Sequence, residues 1–119
     1  MESSLQPFLV MKYYQNGDLR HFINAGNMPI RIRNHIIKSM VKCLEATQSC
    51  GVLHRDIKPE NFLIGDNYDL KLIDFGAGIQ SGELPNDLVG TPNYIAPEIY
   101  KSKHYSYKSE IFAIGVICF

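Results

Sequence analysis

The chain has 119 residues, and its 12 basic residues balance 12 acidic ones, so its formal net charge is zero. It therefore lacks the net basic charge of nucleic-acid-binding proteins, and no apolar run reaches the ~20 residues that a membrane-spanning helix needs. Hydrophobic residues make up 45% of the chain, as in a folded domain. Three cysteines, Cys43, Cys50 and Cys118, are too sparse for the disulfide framework of a small secreted protein. Together these features predict one soluble, intracellular domain, cytoplasmic or nuclear.

The first predicted elements are a strand and two helices. A β-branched and aromatic run predicts a strand over residues 6–14, which ends at the turn signal of residues 16–17. A short helix is expected from Asp18. A long helix is predicted after Pro29, because apolar residues recur on one helical face, and Gly51 is its expected end. These apolar residues are Ile32, Ile36, Ile37, Met40, Val41 and Leu44.

Short strands and a long loop are predicted next. Apolar segments at 52–53, 62–64 and 70–73 predict strands, with residues 65–67 as the turn of a hairpin between the last two. Residues 76–91 are rich in Gly, Ser, Pro and Asn and predict a long loop, which in a compact domain is usually functional. Residues 107–119 return to a helical pattern that is apolar nearly all round, which predicts a buried helix.

Three polar residues lie between these segments in an order that suits phosphoryl transfer. Asp56 is followed by Asn61 and then by Asp74. Such a reaction needs a carboxylate beside the attacking hydroxyl and oxygen ligands for Mg²⁺, and these residue types supply both. Each residue taken alone is more easily interpreted as a turn residue. Their surroundings decide between the two interpretations.

Those surroundings are HRDIKPEN at 54–61, DFG at 74–76 and GTPNYIAPE at 90–98. In this order the three segments resemble the catalytic loop, metal-binding triplet and APE motif of the eukaryotic-type serine/threonine protein kinase family. The resemblance implies an α+β, kinase-like fold and a partial domain. Residues 1–16 would be the last strand of the N-terminal lobe and the hinge, and residues 17–119 the first part of the mainly helical C-terminal lobe.

The resemblance also assigns catalytic roles. It implies that Asp56 is the catalytic base and that Asn61 and Asp74 bind Mg²⁺. Lys58 would contact the transferred phosphate, as in serine/threonine kinases, and the hydroxyl of Thr91 would bond the base and the lysine. The expected cofactors are therefore ATP and Mg²⁺, and the expected substrate is a serine or threonine of a protein.

A nucleotide site is carried over from the same resemblance. Met11 falls at the gatekeeper position, the backbone of Lys12 and Tyr14 would bind adenine, Asp18 would lie near the ribose, and Leu63 would pack under the adenine ring. From the residues alone, Met11 and Leu63 are more readily interpreted as ordinary core residues. His54 and Phe75 match the stacked hydrophobic spine of the family.

The chain departs from the family pattern before the expected hinge. The Gly-rich phosphate loop, the strand lysine and its partner glutamate would all precede that point, and none is present. We therefore expect this chain alone to be inactive within an otherwise enzymatic family. The alternative is a non-catalytic, kinase-like module that binds partners or regulates a complete kinase.

Four acidic positions carry further hypotheses. Glu110 stands where the family usually has an aspartate that receives backbone N–H groups of the catalytic loop. Asp87 stands where many relatives carry a phosphorylated threonine, and it would pair with Arg55 and give partial activation without phosphorylation, with Ser81 as the alternative phosphosite. Glu60 and Asp18 resemble positions that, in some family members, favour basic residues before the phosphorylated site of the substrate.

Overall fold

The structure is a computed structural model that describes residues 6–119. It is of the predicted α+β class, with four α-helices and four short strands in the described residues, packed around two hydrophobic clusters. The elements in chain order are α1 Leu19–Asn24, α2 Ile30–Ser49, β1 Val52–Leu53, β2 Phe62–Ile64, β3 Leu70–Leu72, β4 Ile79–Gln80, α3 Pro97–Ser102 and α4 Tyr107–Cys118. No helix in this part of the chain combines the length and apolar character needed to cross a bilayer.

Both N-terminal helices form where the sequence predicts them. Asp18 is the N-cap of α1, and its carboxylate accepts a hydrogen bond of 2.8 Å from the backbone N–H of His21. Helix α2 buries Ile36, Met40 and Leu44, whose spacing of four residues keeps them on one face. Gly51 follows the helix with a φ of +67°, a left-handed conformation that glycine adopts without steric cost.

The predicted hairpin is also confirmed. Strands β2 and β3 pair antiparallel, with Phe62 opposite Leu72, and the turn between them is closed by a 2.7 Å bond from Gly65 N–H to the Asp69 carbonyl. The hydroxyl of Ser39 on α2 accepts a hydrogen bond from the N–H of Leu70. This bond fixes the hairpin against α2, so the position of the hairpin ends follows from the core.

The main core lies between α1, α2, the hairpin and α4. Its buried residues are Leu19, Ile36, Met40, Leu44, Ile57, Phe62, Ile64, Leu70, Ala113 and Ile114. A second cluster consists of Leu53, Ala96, Ile99 and Tyr105. Segment 54–61 begins directly after Leu53 of the second cluster and contains Ile57 of the main core, so it joins the two clusters, and Val89 packs against the second cluster.

Two of the sequence predictions about secondary structure are wrong. Residues 6–14 form no strand in the described chain, and the side chains of Phe8, Leu9 and Val10 are more than 80% exposed. A strand needs neighbouring backbone to pair with, and residues 6–119 provide none beside this segment. Helix α4 is formed but is not buried all round, because Ile111 and Phe112 on the face away from the core remain 49% and 42% exposed.

Two short elements were not predicted. Within the expected loop 76–91, strand β4 pairs antiparallel with β1, placing Leu53 opposite Ile79. A pair of two-residue strands has no detectable alternation, so it is defined only by the tertiary contact. Helix α3 begins at Pro97, where the fixed φ of proline suits the first helical turn.

Candidate active site

The hairpin brings Asn61 and Asp74 to the same end of the structure. Asn61 ends the turn Pro59–Asn61 directly before β2, and Asp74 lies two residues after the end of β3. A 2.9 Å bond from the N–H of Ile73 to the carbonyl of Asn61 continues the strand pairing beyond Phe62 and Leu72. Asn61, proposed from the sequence as one metal ligand, therefore lies opposite Ile73, the residue directly before Asp74, the other proposed ligand.

Asp56 is held by contacts from three sequence-predicted site residues. The Thr91 hydroxyl donates a 2.9 Å hydrogen bond to Asp56 Oδ1, and Lys58 Nζ lies 3.4 Å from Asp56 Oδ2. Asn61 Nδ2 donates to the Asp56 backbone carbonyl at 2.8 Å. The Asp56 side chain keeps 22% of its surface accessible. Its carboxylate is thus oriented by the protein yet open to solvent.

The approach of Thr91 depends on the glycine before it. Gly90 has a φ of +123°, and a side chain there would begin 3.0 Å from the backbone carbonyl of Arg55. Any larger residue would push the two segments apart. Gly90 therefore permits the contact between Thr91 and Asp56.

His54 joins the Asp56 segment to the Asp74 segment. Its ring is fully buried, and Nε2 donates a 2.7 Å hydrogen bond to the carbonyl of Ile73 while Nδ1 accepts a 3.1 Å bond from the N–H of Asp56. Both bonds together require the neutral ring, and burial lowers the pKa of His54 below its ordinary value. Phe75 packs edge-on against this ring, with centroids 4.7 Å apart. These contacts fix the spacing between the two predicted functional segments.

Glu110 anchors the same segment from α4. Its buried Oε1 accepts hydrogen bonds from the N–H groups of His54 at 2.6 Å and Arg55 at 2.9 Å. Burial raises the pKa of Glu110, against the opposing effect of these two bonds. The extra methylene of glutamate, compared with aspartate, thus still allows the backbone contact. The bond to Arg55 helps to hold that residue at a φ of +69°.

Left-handed backbone occurs at two of these residues. Arg55 and Asp74 have φ values of +69° and +63°, a conformation that costs a non-glycine residue roughly 1–2 kcal/mol. Asp74 offsets part of this cost because its Oδ1 accepts a 3.4 Å bond from the N–H of Gly76. Residues held in this way often cluster at functional sites.

The Arg55 side chain connects the segment 54–61 to the loop 76–91. It is 6% exposed, donates from Nε to the carbonyl of Ala77 at 2.6 Å and places Nη1 3.3 Å from Asp87 Oδ1. Its guanidinium also lies 5.0 Å from the centre of the Tyr105 ring. The pairing of Arg55 with Asp87 agrees with the sequence hypothesis. The Tyr105 contact was missed, because nothing in the sequence marks that tyrosine apart from other core aromatics.

The predicted nucleotide residues lie in two groups. Asp18 forms an isolated antiparallel bridge with Leu63, which is half-buried, so these two residues are adjacent. Met11 is 54% exposed, which contradicts its alternative interpretation as a core residue. Lys12 is exposed and its ammonium lies 5.4 Å from the ring centre of Tyr14. The structure therefore joins Asp18 with Leu63, and leaves Met11 and Lys12 on an exposed segment.

The side-chain oxygen atoms of Asn61 and Asp74 are suitable ligands for a magnesium ion. Because Asn61 donates from Nδ2 to Asp56, its carbonyl oxygen remains free to act as a ligand, and Asp74 is an exposed carboxylate. Residues 6–119 contain no cluster of three or more His, Cys, Asp or Glu that could hold a metal by itself. Magnesium does not require one, since it binds through one or two protein oxygens and fills its other positions with water and substrate phosphates.

Comparisons with known proteins agree with this geometry. The family model described as protein kinase domain matches residues 1–119. Calcium-dependent protein kinase 26 of Arabidopsis thaliana is 39% identical over 124 residues, covering 99% of this chain and 25% of that relative. CBL-interacting protein kinase 29 of Oryza sativa subsp. japonica is 40% identical over 113 residues, covering 92% and 26%. An Aurora kinase of Eremothecium gossypii is 34% identical over 115 residues, covering 94% and 31%. The chain thus spans about a quarter to a third of the length of these curated relatives.

Proposed function

This chain belongs to the serine/threonine protein kinase family, and we propose that the protein carrying it transfers the γ-phosphoryl group of ATP to serine or threonine hydroxyls of proteins. The observation that carries the proposal is the environment of Asp56. Thr91 fixes one carboxylate oxygen, Lys58 lies beside the other, and the side chain remains accessible. A general base needs this combination of fixed orientation and open approach.

In this proposal Asp56 receives the substrate hydroxyl. Its carboxylate accepts the hydrogen bond of the incoming alcohol, orients the oxygen and takes up the proton. Lys58, 3.4 Å from Asp56 Oδ2, places a positive charge where negative charge collects on the transferred group. Thr91 keeps the carboxylate from rotating. Thr91 and Lys58 have different roles because Thr91 contacts Oδ1 of Asp56 and Lys58 lies beside Oδ2.

Asn61 and Asp74 are proposed to hold Mg²⁺, which when bound with ATP supplies charge neutralisation on the phosphate oxygens. His54 supports the positions of Asp56 and Asp74, because it bonds the N–H of Asp56 and the carbonyl of Ile73, the residue before Asp74. A shift of either segment would misplace the base relative to the metal. Positioning of this kind is the main contribution that a protein makes to phosphoryl transfer.

Residues 6–16 are proposed to lead from the smaller lobe into residues 17–119. On this assignment Met11 borders the adenine, the backbone of Lys12 and Tyr14 contacts it, and Leu63 lies beneath it. Asp18 lies near the ribose, and its position is supported by its bridge to Leu63. The Asp18 carboxylate already caps α1 through Oδ1, so its second oxygen is the one available for a ribose hydroxyl.

The test is phosphate transfer from Mg·ATP to a serine- and threonine-containing protein by the polypeptide that carries this segment. Asp56→Asn removes the proton acceptor and should lower the rate about 10²- to 10⁴-fold. Asp66→Asn is the matched control, because Asp66 is exposed in the hairpin turn and should stay within about twofold of the unaltered protein. Retained transfer in the Asp56 variant, or phosphate found only on tyrosine, would contradict the proposal.

A further inference from the structure

Arg20 on α1 links two segments that border the candidate active site. Its Nε donates a 2.9 Å hydrogen bond to Glu60 Oε1, and its Nη2 donates to the hydroxyl of Tyr94. Glu60 lies in the turn Pro59–Asn61, next to Asn61. Tyr94 lies three residues after Thr91 in a second short turn. Arg20 therefore joins the segment of the proposed base to the segment of the threonine that orients it.

The ion pair of Arg20 and Glu60 lies within reach of a bound peptide. Glu60 lies four positions after Asp56, a stretch that spans at most about 14 Å when extended. An extended substrate whose hydroxyl reaches Asp56 covers the same distance with about four of its residues. The side chains of Arg20 and Glu60 are 36% and 43% exposed. Side chains near the acceptor serine or threonine can thus approach this pair.

Two acidic residues near the site are already engaged within the protein. Asp18 caps α1, and Glu60 is bonded to Arg20. The hydrogen bond to Glu60 raises the pKa of Arg20. Burial acts to raise the pKa of Glu60, but the hydrogen bond from Arg20, a backbone hydrogen bond and the nearby positive charges together lower it. The 2.9 Å contact places the guanidinium and the carboxylate in an ion pair. Glu60 is therefore not a free negative charge.

Building on the proposed function, we propose that Arg20 is a specificity-determining residue that masks Glu60 and removes a preference for basic residues in the protein substrate. A lysine or arginine of a substrate would have to displace Arg20 from Glu60 and would gain only an exchange of one exposed ion pair for another. Without Arg20 the same carboxylate would be free to attract it. Selectivity then depends on the competition between Arg20 and the incoming residue.

The experiment compares peptides that differ at one position at a time around a single serine, with lysine or glutamine at that position. Their binding to the polypeptide that carries this segment is measured by fluorescence anisotropy, and their phosphorylation is measured separately. In the unaltered protein the affinities for lysine and glutamine peptides should agree within about twofold. In Arg20→Met at least one position should favour lysine by about two- to fivefold, the range that exposed ion pairs contribute.

Three variants separate masking from other effects. Arg20→Met combined with Glu60→Gln should lose the lysine preference, because the carboxylate is gone. Tyr94→Phe removes the second bond of Arg20 but keeps the ion pair, so it should not create the preference. Arg31→Met removes an exposed arginine from α2 and is the matched charge control. Circular dichroism of each variant verifies that the fold is kept.

The outcomes distinguish this inference from the proposed function. The inference is overturned if Arg20→Met creates a lysine preference at no peptide position, if that preference persists in the double variant, or if no variant binds any peptide. A lysine preference in binding without phosphate transfer in any variant would refute the proposed function and leave the role of Arg20 supported. Raised salt should reduce the preference, because exposed charges are screened.

Discussion

Glu110→Ala is predicted to destabilise the segment 54–61 severely. The substitution removes the only acceptor that the structure gives to the N–H groups of His54 and Arg55 among the described residues. Each buried donor left without a partner costs about 1–3 kcal/mol, so the free energy of unfolding should fall by about 2–6 kcal/mol. The loss is a large part of the total stability of an ordinary domain, about 5–15 kcal/mol.

Glu110→Gln separates hydrogen bonding from charge. Glutamine keeps a carbonyl acceptor at the same reach, and it removes the carboxylate whose pKa burial raises. We expect its free energy of unfolding to lie within about 1–2 kcal/mol of the original value. Urea denaturation followed by circular dichroism measures all three proteins. Two results would contradict the anchoring role of Glu110. One is a free energy of unfolding of Glu110→Ala within about 0.5 kcal/mol of the original protein, and the other is a Glu110→Gln variant as unstable as Glu110→Ala.

Three further predictions concern neighbouring side chains. Thr91→Val keeps the size of the side chain but loses the hydrogen bond to Asp56, so phosphate transfer should fall about 10- to 100-fold. Thr91→Ser keeps the hydroxyl and should retain most activity. Equal rates in the two variants would contradict the role of the Thr91 hydroxyl in orienting Asp56. Asp87→Ala removes the partner of Arg55, so transfer should fall and proteolysis of the loop 76–91 should quicken; unchanged activity would exclude partial activation by this aspartate. The pKa of the buried His54 is lowered in the folded protein, so below pH ~6.5 the unfolded chain binds a proton that the folded ring does not. The free energy of unfolding should therefore fall between pH ~7.5 and ~5.5, by at most about 1.4 kcal/mol per pH unit. The drop should be shallower in His54→Gln, and identical slopes in urea titrations would contradict the buried neutral ring.

The long helix and the hairpin could be predicted because local signals agree there. Apolar spacing, the stop at Gly51 and the turn before Leu70 all favour the same structure, and packing against α2 reinforces it. The strand expected over residues 6–14 is not formed in the described part of the chain, although its local sequence favours one. Its composition suits a strand, but composition cannot supply the neighbouring strand that the backbone must bond.

The candidate site divides in the same way. Asp56, Asn61, Asp74 and Thr91 could be identified because their residue types and order resemble a known catalytic arrangement. The pairing of Arg55 with Asp87 and the reach of Glu110 were reasoned from that resemblance, and both contacts are present. The contacts of Arg20 could not be foreseen, because a sequence separation of 74 residues lies between it and Tyr94. Long-range side-chain pairs of this kind are decided by tertiary packing.

The most direct test of the account is to locate the metal. With Mn²⁺ replacing Mg²⁺ and a non-hydrolysable ATP analogue added, paramagnetic broadening of nuclear magnetic resonance signals reports which residues lie near the ion. Broadening should centre on Asn61 and Asp74, with Asp56 affected next, and it should be lost in Asp74→Ala. Broadening centred instead on the exposed carboxylates of the hairpin turn, Asp66 and Asp69, would contradict a phosphoryl-transfer centre at this site.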